Sequence, residues 1–202
     1  MKKVFIFWDN SNIFISGKML ASEIDGEDAY YQFRLQFKNI LELARAGREI
    51  EYAIAVGSVP PELRQVWNKM EQSGVEIELF ERGSGSNKEQ AVDQAIQVHM
   101  LRKAIDYNGT PGIVVMLTGD GHGFHDGVGF HADLERMHKK GWGIEIMAWE
   151  KTCNSNLKKW VEKIGTFIRL EDYYESITFL DDDKGVIRKS KPLSLDNRIK
   201  ST

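Results

Sequence analysis

Residues 4–12 read VFIFWDNSN, an apolar run that stops abruptly at Asp9, Asn10, Ser11 and Asn12. A short apolar run without polar alternation is typical of a strand that is buried on both faces of a sheet. Its ending places a carboxylate and two amides where the strand leaves the sheet. In open α/β sheets, ligands bind beyond the carboxyl ends of the strands. The stretch therefore predicts a central strand with a polar site at its end.

Short apolar runs alternate with segments of helical period along the rest of the chain. We expect strands over 3–8, 51–59, 75–81, 112–120, 143–149 and 167–170, and helices over 31–47, 60–73, 88–105, 131–140 and 155–164. Strands separated by helices indicate βαβ crossovers and a mainly parallel sheet with helices on both faces. The predicted fold class is α/β, a three-layer α/β/α sandwich around a mainly parallel, Rossmann-like central sheet.

The composition excludes several classes of protein. Of 202 residues, 42% are hydrophobic and 28% charged, which is typical of a globular protein. The net charge of -3 argues against a general nucleic-acid-coating protein, which would be strongly basic, but leaves room for a local basic rim. No apolar stretch is long enough for a membrane span, and the apolar run that follows the first three residues is too short for a signal peptide. A lone cysteine, Cys153, fits a reducing compartment, so we expect a cytoplasmic protein.

The chain length and the change in charge along it predict one domain over 1–180 and a polar tail over 181–202. The tail holds six basic and four acidic residues, a balance of +2. The stretch DDDKG at 181–185 is typical of a hairpin turn, and we expect the chain to become disordered after it.

Two predicted strands end with an aspartate at the same edge of the sheet, Asp9 and Asp120. Either could be a simple turn or cap residue, but two on adjacent central strands favour a site. Carboxylates brought close together repel unless a cation lies between them, and their hard oxygen atoms suit Mg²⁺ or Mn²⁺. Asp93, early in the predicted helix 88–105, is the candidate third carboxylate. Its position is equally consistent with an ordinary exposed aspartate on a helix.

Over nearly all of its first 180 residues, the chain resembles the NYN domains of the PIN-like nuclease superfamily, in particular those related to LabA. The resemblance lies in the order of FIFWDNSN, NKEQAVDQAI, VVMLTGDG and LERMHKKGWGIEIMAWE, ending in TFIRLEDYY. Each motif is short, and their order within a βαβ frame is the more specific signal. The resemblance implies a PIN-like fold and a metal-dependent endoribonuclease with one or two Mg²⁺ or Mn²⁺ ions.

The resemblance also implies a set of site residues at the three motifs. They are Asp9 with Asn12, Lys88 with Asp93, and Thr118 with Asp120. The three aspartates would bind metal and act in catalysis. The other three would contact the substrate: the amide and hydroxyl orient a water or phosphate oxygen, and the lysine attracts the backbone. Single-stranded RNA is the expected partner, because a narrow acidic cleft reaches an unpaired backbone most easily.

One departure from the family pattern falls just after Asp120. The family places a second aspartate after GDG, whereas this chain has His122, followed by GFHDGVGFH. We interpret the segment as an insertion in which His122 faces the substrate and Asp126 replaces the missing acid as a metal ligand. Asp133 is the alternative ligand, although the helical pattern places it in the first turn of the next helix as a dipole partner. If neither carboxylate reaches the metal, we expect the protein to bind its substrate without cleaving it.

Two further interpretations of the whole chain stay open. The first is a non-catalytic regulator that keeps the PIN-like fold and binds RNA, a protein partner or a second copy of itself. The second is a metal-dependent phosphatase, which would use a second aspartate two positions after Asp9, where this chain has Ser11. Trp8 and Phe14 could stack on bases, but core packing is the favoured interpretation of both.

Overall fold

A computed structural model describes residues 2–59, 64–81, 87–120 and 127–201 of the chain. Its strands are β1 (Val4–Asp9), β2 (Phe33–Leu35), β3 (Ile50–Val59), β4 (Glu76–Glu81), β5 (Ile113–Leu117), β6 (Gly143–Ala148), β7 (Thr166–Arg169), β8 (Thr178–Asp182) and β9 (Gly185–Arg188). Its α-helices are α1 (Asn10–Ile24), α2 (Ala29–Gln32), α3 (Phe37–Arg45), α4 (Arg64–Glu71), α5 (Asn87–Asp106), α6 (Gly129–Lys139), α7 (Ser155–Ile164) and α8 (Tyr174–Ile177). None of the helices in these ranges is long and apolar enough to span a bilayer.

Six parallel strands form the central sheet in the order β4-β3-β1-β5-β6-β7. The opening strand β1 lies in the middle, where Trp8 pairs with Ala55 on one side and Leu117 on the other. Every residue of β1 is buried, because helices cover both faces of the sheet. This architecture confirms the predicted α/β class with a mainly parallel sheet.

Alternate residues of β1 belong to two separate hydrophobic clusters. Ile6 and Trp8 pack on one face of the sheet with residues of α1, α3 and α4. Phe5 and Phe7 pack on the other face with residues of α5, α6 and α7. Because successive side chains of a strand point to opposite faces, Asp9 lies on the face that α5 covers.

Residues 31–47, predicted as one helix, instead form α2, β2 and α3. The spacing of the apolar residues fits a helix, but Phe33 and Leu35 pair with Leu180 and Thr178 of β8. This long-range antiparallel pairing overrides the local periodicity. The helix α1, which begins directly after Asp9, was missing from the sequence prediction.

The strands β2, β8 and β9 form a second, antiparallel sheet. The hairpin between β8 and β9 turns at the predicted DDDKG stretch, and β8 crosses the predicted domain boundary at residue 180. Gly185, the first residue of β9 after the turn, has a φ of 119°, a conformation that a residue with a Cβ rarely adopts.

Beyond the hairpin, residues 189–201 lack helix and strand but pack against the domain. The backbone N–H of Lys191 donates to the carbonyl of Glu175 at 2.8 Å. Leu193 and Leu195 lie against the hydrophobic core. Arg198 lies in the same segment, and its side chain is fully buried in the interior.

The partner of Arg198 is Glu145, a carboxylate on β6 that is completely buried. Arg48 donates to both oxygens of Glu145 at 2.8 Å, and Arg198 donates a third hydrogen bond at 2.5 Å. The backbone N–H of Ser201 adds a fourth, at 2.7 Å. Burial by itself raises the pKa of Glu145, but the hydrogen bonds from Arg48 and the charge of Arg198 hold that pKa below its ordinary value.

Replacing Arg198 with methionine is expected to lower the free energy of unfolding by roughly 3–5 kcal/mol, because it leaves a buried carboxylate with one of its two cations. Urea unfolding followed by circular dichroism measures the change. The control is Arg169→Met: Arg169 is half exposed and pairs with Glu150 at the surface, so its loss should cost less than about 1 kcal/mol. Equal losses in the two variants would contradict a structural role for the buried pair.

Candidate active site

The strands β1 and β5 end side by side, which brings the first and third predicted motifs together. Asp9 is the last residue of β1, and Thr118 follows the last residue of β5. The hydroxyl of Thr118 donates to Oδ2 of Asp9 at 3.2 Å, and both side chains are buried. The predicted adjacency of these strand ends is therefore present in the fold.

Asp9 also caps the helix that follows it. Its Oδ1 accepts the backbone N–H of Asn12 at 3.0 Å, which satisfies one of the free donors of the first turn of α1. A negative charge is favourable at this position because the helix dipole is positive there. The structure thus shows the cap role that the sequence posed as one of two alternatives for Asp9, and its role as a site residue stays a prediction.

The loop after β5 is held from three directions. The hydroxyl of Thr118 accepts the backbone N–H of Asp120 at 3.1 Å. Oδ1 of Asn12 accepts the N–H of Gly119 at 2.8 Å, and the carbonyl of Gly119 accepts the N–H of Asn154 at 2.8 Å. A Cβ on Gly119 would lie 3.2 Å from the backbone of Cys153, so a glycine lets the two loops pack closely. Asn12 therefore acts as a brace that sets the position of the Asp120 loop.

Asp120 and Asp93 line one cavity of about 650 Å³ between α5, α6 and the end of β5. Asp93 comes from the second turn of α5, as the family motif implied, and both aspartates are partly exposed. Asp9 lies beneath the surface and connects to Asp120 through the hydroxyl of Thr118. The structure thus places two predicted carboxylates on a common cavity and links the third to the backbone of Asp120 through one hydroxyl.

The same cavity is lined by a positively charged side chain that the sequence analysis did not identify. Arg136 of α6 donates to Oδ1 of Asp133 at 2.7 Å and to the carbonyl of Gly127 at 2.6 Å, while half of its side chain stays exposed. Gln97 of α5 donates to the other oxygen of Asp133 at 2.7 Å. Spacing gave only a partial signal: Gln97 lies four positions after Asp93, and Arg136 three after Asp133, on the same helix faces, but neither spacing relates α5 to α6.

Asp133 itself differs from the prediction made for it. The helix α6 begins at Gly129, so Asp133 lies beyond the first turn and is not the expected dipole partner there. It is almost fully buried, and both carboxylate oxygens accept hydrogen bonds from Gln97 and Arg136. A carboxylate that already neutralises a guanidinium is a poor candidate for a metal ligand, and its evident role is to position Arg136.

Several predicted site residues fall outside the described part of the chain. His122 and Asp126, together with His125, lie in the segment 121–126, outside the described residues. Lys88 lies in the first turn of α5, and its side chain is likewise not described. The roles assigned to these residues stay predictions.

The donor set at the cavity suits a hard divalent cation. Within the described ranges, no three His, Cys, Asp or Glu side chains converge as a group that could hold a metal ion. Asp93 and Asp120 nevertheless supply carboxylate oxygens to one open cavity. Mg²⁺ is commonly bound through one or two carboxylates while it keeps several waters, so these two residues fit such an ion without a closed protein cage.

Other candidate residues have structural roles. Burial raises the pKa of the Cys153 thiol to about 12, so the group is neutral and unsuited to nucleophilic attack at neutral pH. Trp8 is buried in the core, and Phe14 is partly buried against the same cluster. The core interpretation of these two aromatic residues is therefore the one that the packing favours.

A parallel α/β sheet with carboxylates at the ends of adjacent central strands is compatible with a domain of the PIN-like nuclease superfamily. The chain belongs to the NYN domain family, whose model matches residues 3–162. This match confirms the resemblance seen in the sequence motifs.

A solved structure supports the fold. The chain is similar to a protein of unknown function from Vibrio parahaemolyticus, with a TM-score of 0.60 and 18% sequence identity. The similarity covers 92% of this chain and 96% of that one. At this identity the likeness shows a shared fold alone. No curated protein matches the chain.

Replacing Thr118 with valine preserves the side-chain shape but removes the hydroxyl that links Asp9 to Asp120. We expect a loss of roughly 1–3 kcal/mol in the free energy of unfolding, because the buried carboxylate of Asp9 and the partly buried N–H of Asp120 each lose a hydrogen bond. Thr118→Ser keeps the hydroxyl and loses one methyl group, at about 0.8 kcal/mol. Urea unfolding should therefore rank the valine variant below the serine variant. The opposite order would show that apolar burial, and not the hydrogen bonds, holds this loop.

Proposed function

We propose that this protein is a metal-dependent endoribonuclease that cleaves single-stranded or unstructured RNA by in-line hydrolysis. The observation that carries the proposal is the cavity that Asp93 of α5 and Asp120 of the β5 loop both line. Membership of the NYN family supports the same class of chemistry, since PIN-like nucleases generally depend on a divalent metal.

In this proposal Asp93 and Asp120 hold Mg²⁺ or Mn²⁺, with Asp9 beside them and Asp126 as a further ligand. Such an ion would lower the pKa of a bound water and neutralise charge on the scissile phosphate. Hard oxygen donors suit either ion, which is why we name both.

The other residues of the site position the substrate and its carboxylates. Thr118 and Asn12 hold the backbone on which Asp120 stands. Arg136 presents a half-exposed guanidinium at the cavity, where it can bind a phosphate oxygen of the RNA. Lys88 and His122 are proposed to contact the substrate from the start of α5 and from the loop after Asp120.

The shape and charge of the site favour an unpaired strand as the substrate. A cavity of about 650 Å³ is of the size that takes a small ligand, and therefore one nucleotide unit rather than the rigid surface of a duplex. The chain carries a net charge of -3, so attraction for RNA must come from local cations such as Arg136.

A binding protein without catalytic activity is the second candidate. Its specific support is that one of the three acids that line the cavity among the described residues, Asp133, already pairs with Arg136. Such a protein would bind RNA, or a protein partner including a second copy of the chain, through the same cavity.

Replacing Asp93 or Asp120 with asparagine should abolish Mn²⁺-dependent cleavage of a fluorescently labelled, unstructured RNA. The expected loss is at least about a hundredfold, because even residues that only orient metal ligands contribute 10–100-fold. Asp106→Asn is the matched control, since Asp106 lies at the exposed end of the same helix as Asp93.

Undiminished cleavage in both variants, or in excess chelator, would contradict the mechanism. Absence of cleavage by the unmodified protein across several RNAs, with RNA binding retained, would instead favour the non-catalytic candidate.

Arg136→Gln should weaken RNA binding and make it less sensitive to salt, because one phosphate contact is lost. The slope of log affinity against log salt is expected to fall by about 0.7 for a single strand. Binding is measured by fluorescence anisotropy in the Asp120→Asn background, so that the RNA stays intact. Arg102→Gln, on the exposed side of α5, is the control, and an unchanged slope in Arg136→Gln would exclude Arg136 as a phosphate contact.

A further inference from the structure

The cavity that Asp93 and Asp120 line also extends along α5. This helix connects the end of β4 to the start of β5, so it runs back from the edge at which the parallel strands end. Asp93, Gln97 and Leu101 all line the cavity, and their spacing of four residues places them along one face of the helix. The cavity therefore has one end at the two acids and a second end further along α5.

Arg136 lies at the level of Gln97, away from the acids. Gln97 donates to Oδ2 of Asp133 at 2.7 Å, and Arg136 donates to Oδ1 of the same carboxylate at 2.7 Å. The side chain of Asp133 is only 4% exposed, so this carboxylate links the two helices from a buried position. Gln97 follows Asp93 by four residues, which is about 6 Å along a helix. The guanidinium is thus offset from the acids by roughly one helical turn.

Arg136 keeps hydrogen-bond donors for a ligand. A guanidinium carries five N–H groups. Among the residues that the structure describes, Arg136 uses two of them, for Asp133 and for the carbonyl of Gly127 at 2.6 Å. Half of its side chain is exposed. A guanidinium held from two sides, with donors left over, is suited to bind a phosphate in a fixed geometry.

The space between the two ends suits a nucleoside. Val128 lines the cavity although 56% of it is exposed, and Phe130 and Leu101 add apolar surface for a sugar or a base. Phosphates of one strand lie about 3.4 Å apart along the axis of a duplex, and further apart in an unstacked strand. An offset of roughly one helical turn is therefore on the scale that separates two successive phosphates of an unpaired strand.

We propose that this cavity binds one nucleoside together with the phosphate on each side of it. One phosphate lies at Asp93 and Asp120, and Arg136 binds the adjacent phosphate, not the one at the acids. Gln97 and Asp133 are positioning residues, because they hold the guanidinium one turn away from the acids. The contact at the acids rests on the proposed function, since it needs a metal ion there, whereas the contact at Arg136 does not.

Isothermal titration calorimetry with uridine 3′,5′-bisphosphate tests the proposal, because this ligand carries both phosphates on one nucleoside and contains no phosphodiester. In Mn²⁺ it should bind about tenfold more tightly than either uridine monophosphate, since only the bisphosphate reaches both ends of the cavity. Arg136→Gln should remove this advantage, and Arg102→Gln, on the exposed side of α5, is the control. The monophosphate that weakens in Arg136→Gln identifies which side of the nucleoside Arg136 contacts.

Asp133→Asn separates the position of Arg136 from its charge. The variant keeps the size of the side chain and the guanidinium but removes the carboxylate that holds it, so the advantage of the bisphosphate should fall about three- to tenfold. General attraction for RNA should not weaken, because the protein loses a negative charge. Gln97→Leu should also reduce the advantage by removing the donor to Asp133. Gln72→Leu, at an exposed position after α4, is the matched control.

The proposal is overturned if the bisphosphate binds no more tightly than both monophosphates, or if its advantage survives in Arg136→Gln. An unchanged advantage in both Asp133→Asn and Gln97→Leu would overturn the positioning role. Thermal unfolding of each variant checks that the fold is intact before affinities are compared.

The two proposals can fail separately, because the bisphosphate contains no bond that an endonuclease cleaves. Binding that depends on Arg136, in a protein that cleaves no RNA, supports this inference and contradicts the proposed cleavage. RNA cleavage without any advantage for the bisphosphate contradicts this inference alone. An advantage that persists in excess chelator would contradict the contact through a metal ion at the acids.

Discussion

The parallel pairing of β1 with both β3 and β5 is the constraint on which the rest of the structure depends. Because the three strands run in the same direction, their carboxyl ends meet at one edge, and the residues that follow them become neighbours. Asp9 and Thr118 are thus in hydrogen-bond contact although they are 109 positions apart. Helix α5 needs only to pack on the same face to bring Asp93 to this edge.

The strands of the central sheet could be predicted from the sequence because burial on both faces produces unbroken apolar runs. The position of Asp9 and Asp120 followed directly, since each stands where such a run stops. The region 31–47 could not be predicted locally: Phe33 and Phe37 fit a helical stripe, and only the partner strand β8, far along the chain, reveals β2. Arg136 was missed for a related reason, because its contact with the cavity depends on how α6 packs against α5.

The candidate site contains both acidic and basic side chains. Two partly exposed carboxylates face a cavity, while a third acid, Asp133, is buried and paired with a guanidinium. Arg136 stays half exposed at the cavity that Asp93 and Asp120 also line, so acidic and basic side chains share one cavity. The metal site and the phosphate contact proposed above would therefore share one cavity in a chain of net negative charge.

The buried carboxylate on β6 has a consequence for the order in which the molecule assembles. Glu145 follows Arg48 by 97 positions and precedes Arg198 by 53. A chain emerges from the ribosome starting at its N-terminus, so the carboxylate meets its first arginine well before the second is synthesised. An interaction that closes after the sheet has formed contributes to the barrier against unfolding and little to the speed of folding. The last arginine would therefore set how long the folded state lasts, not how quickly it forms.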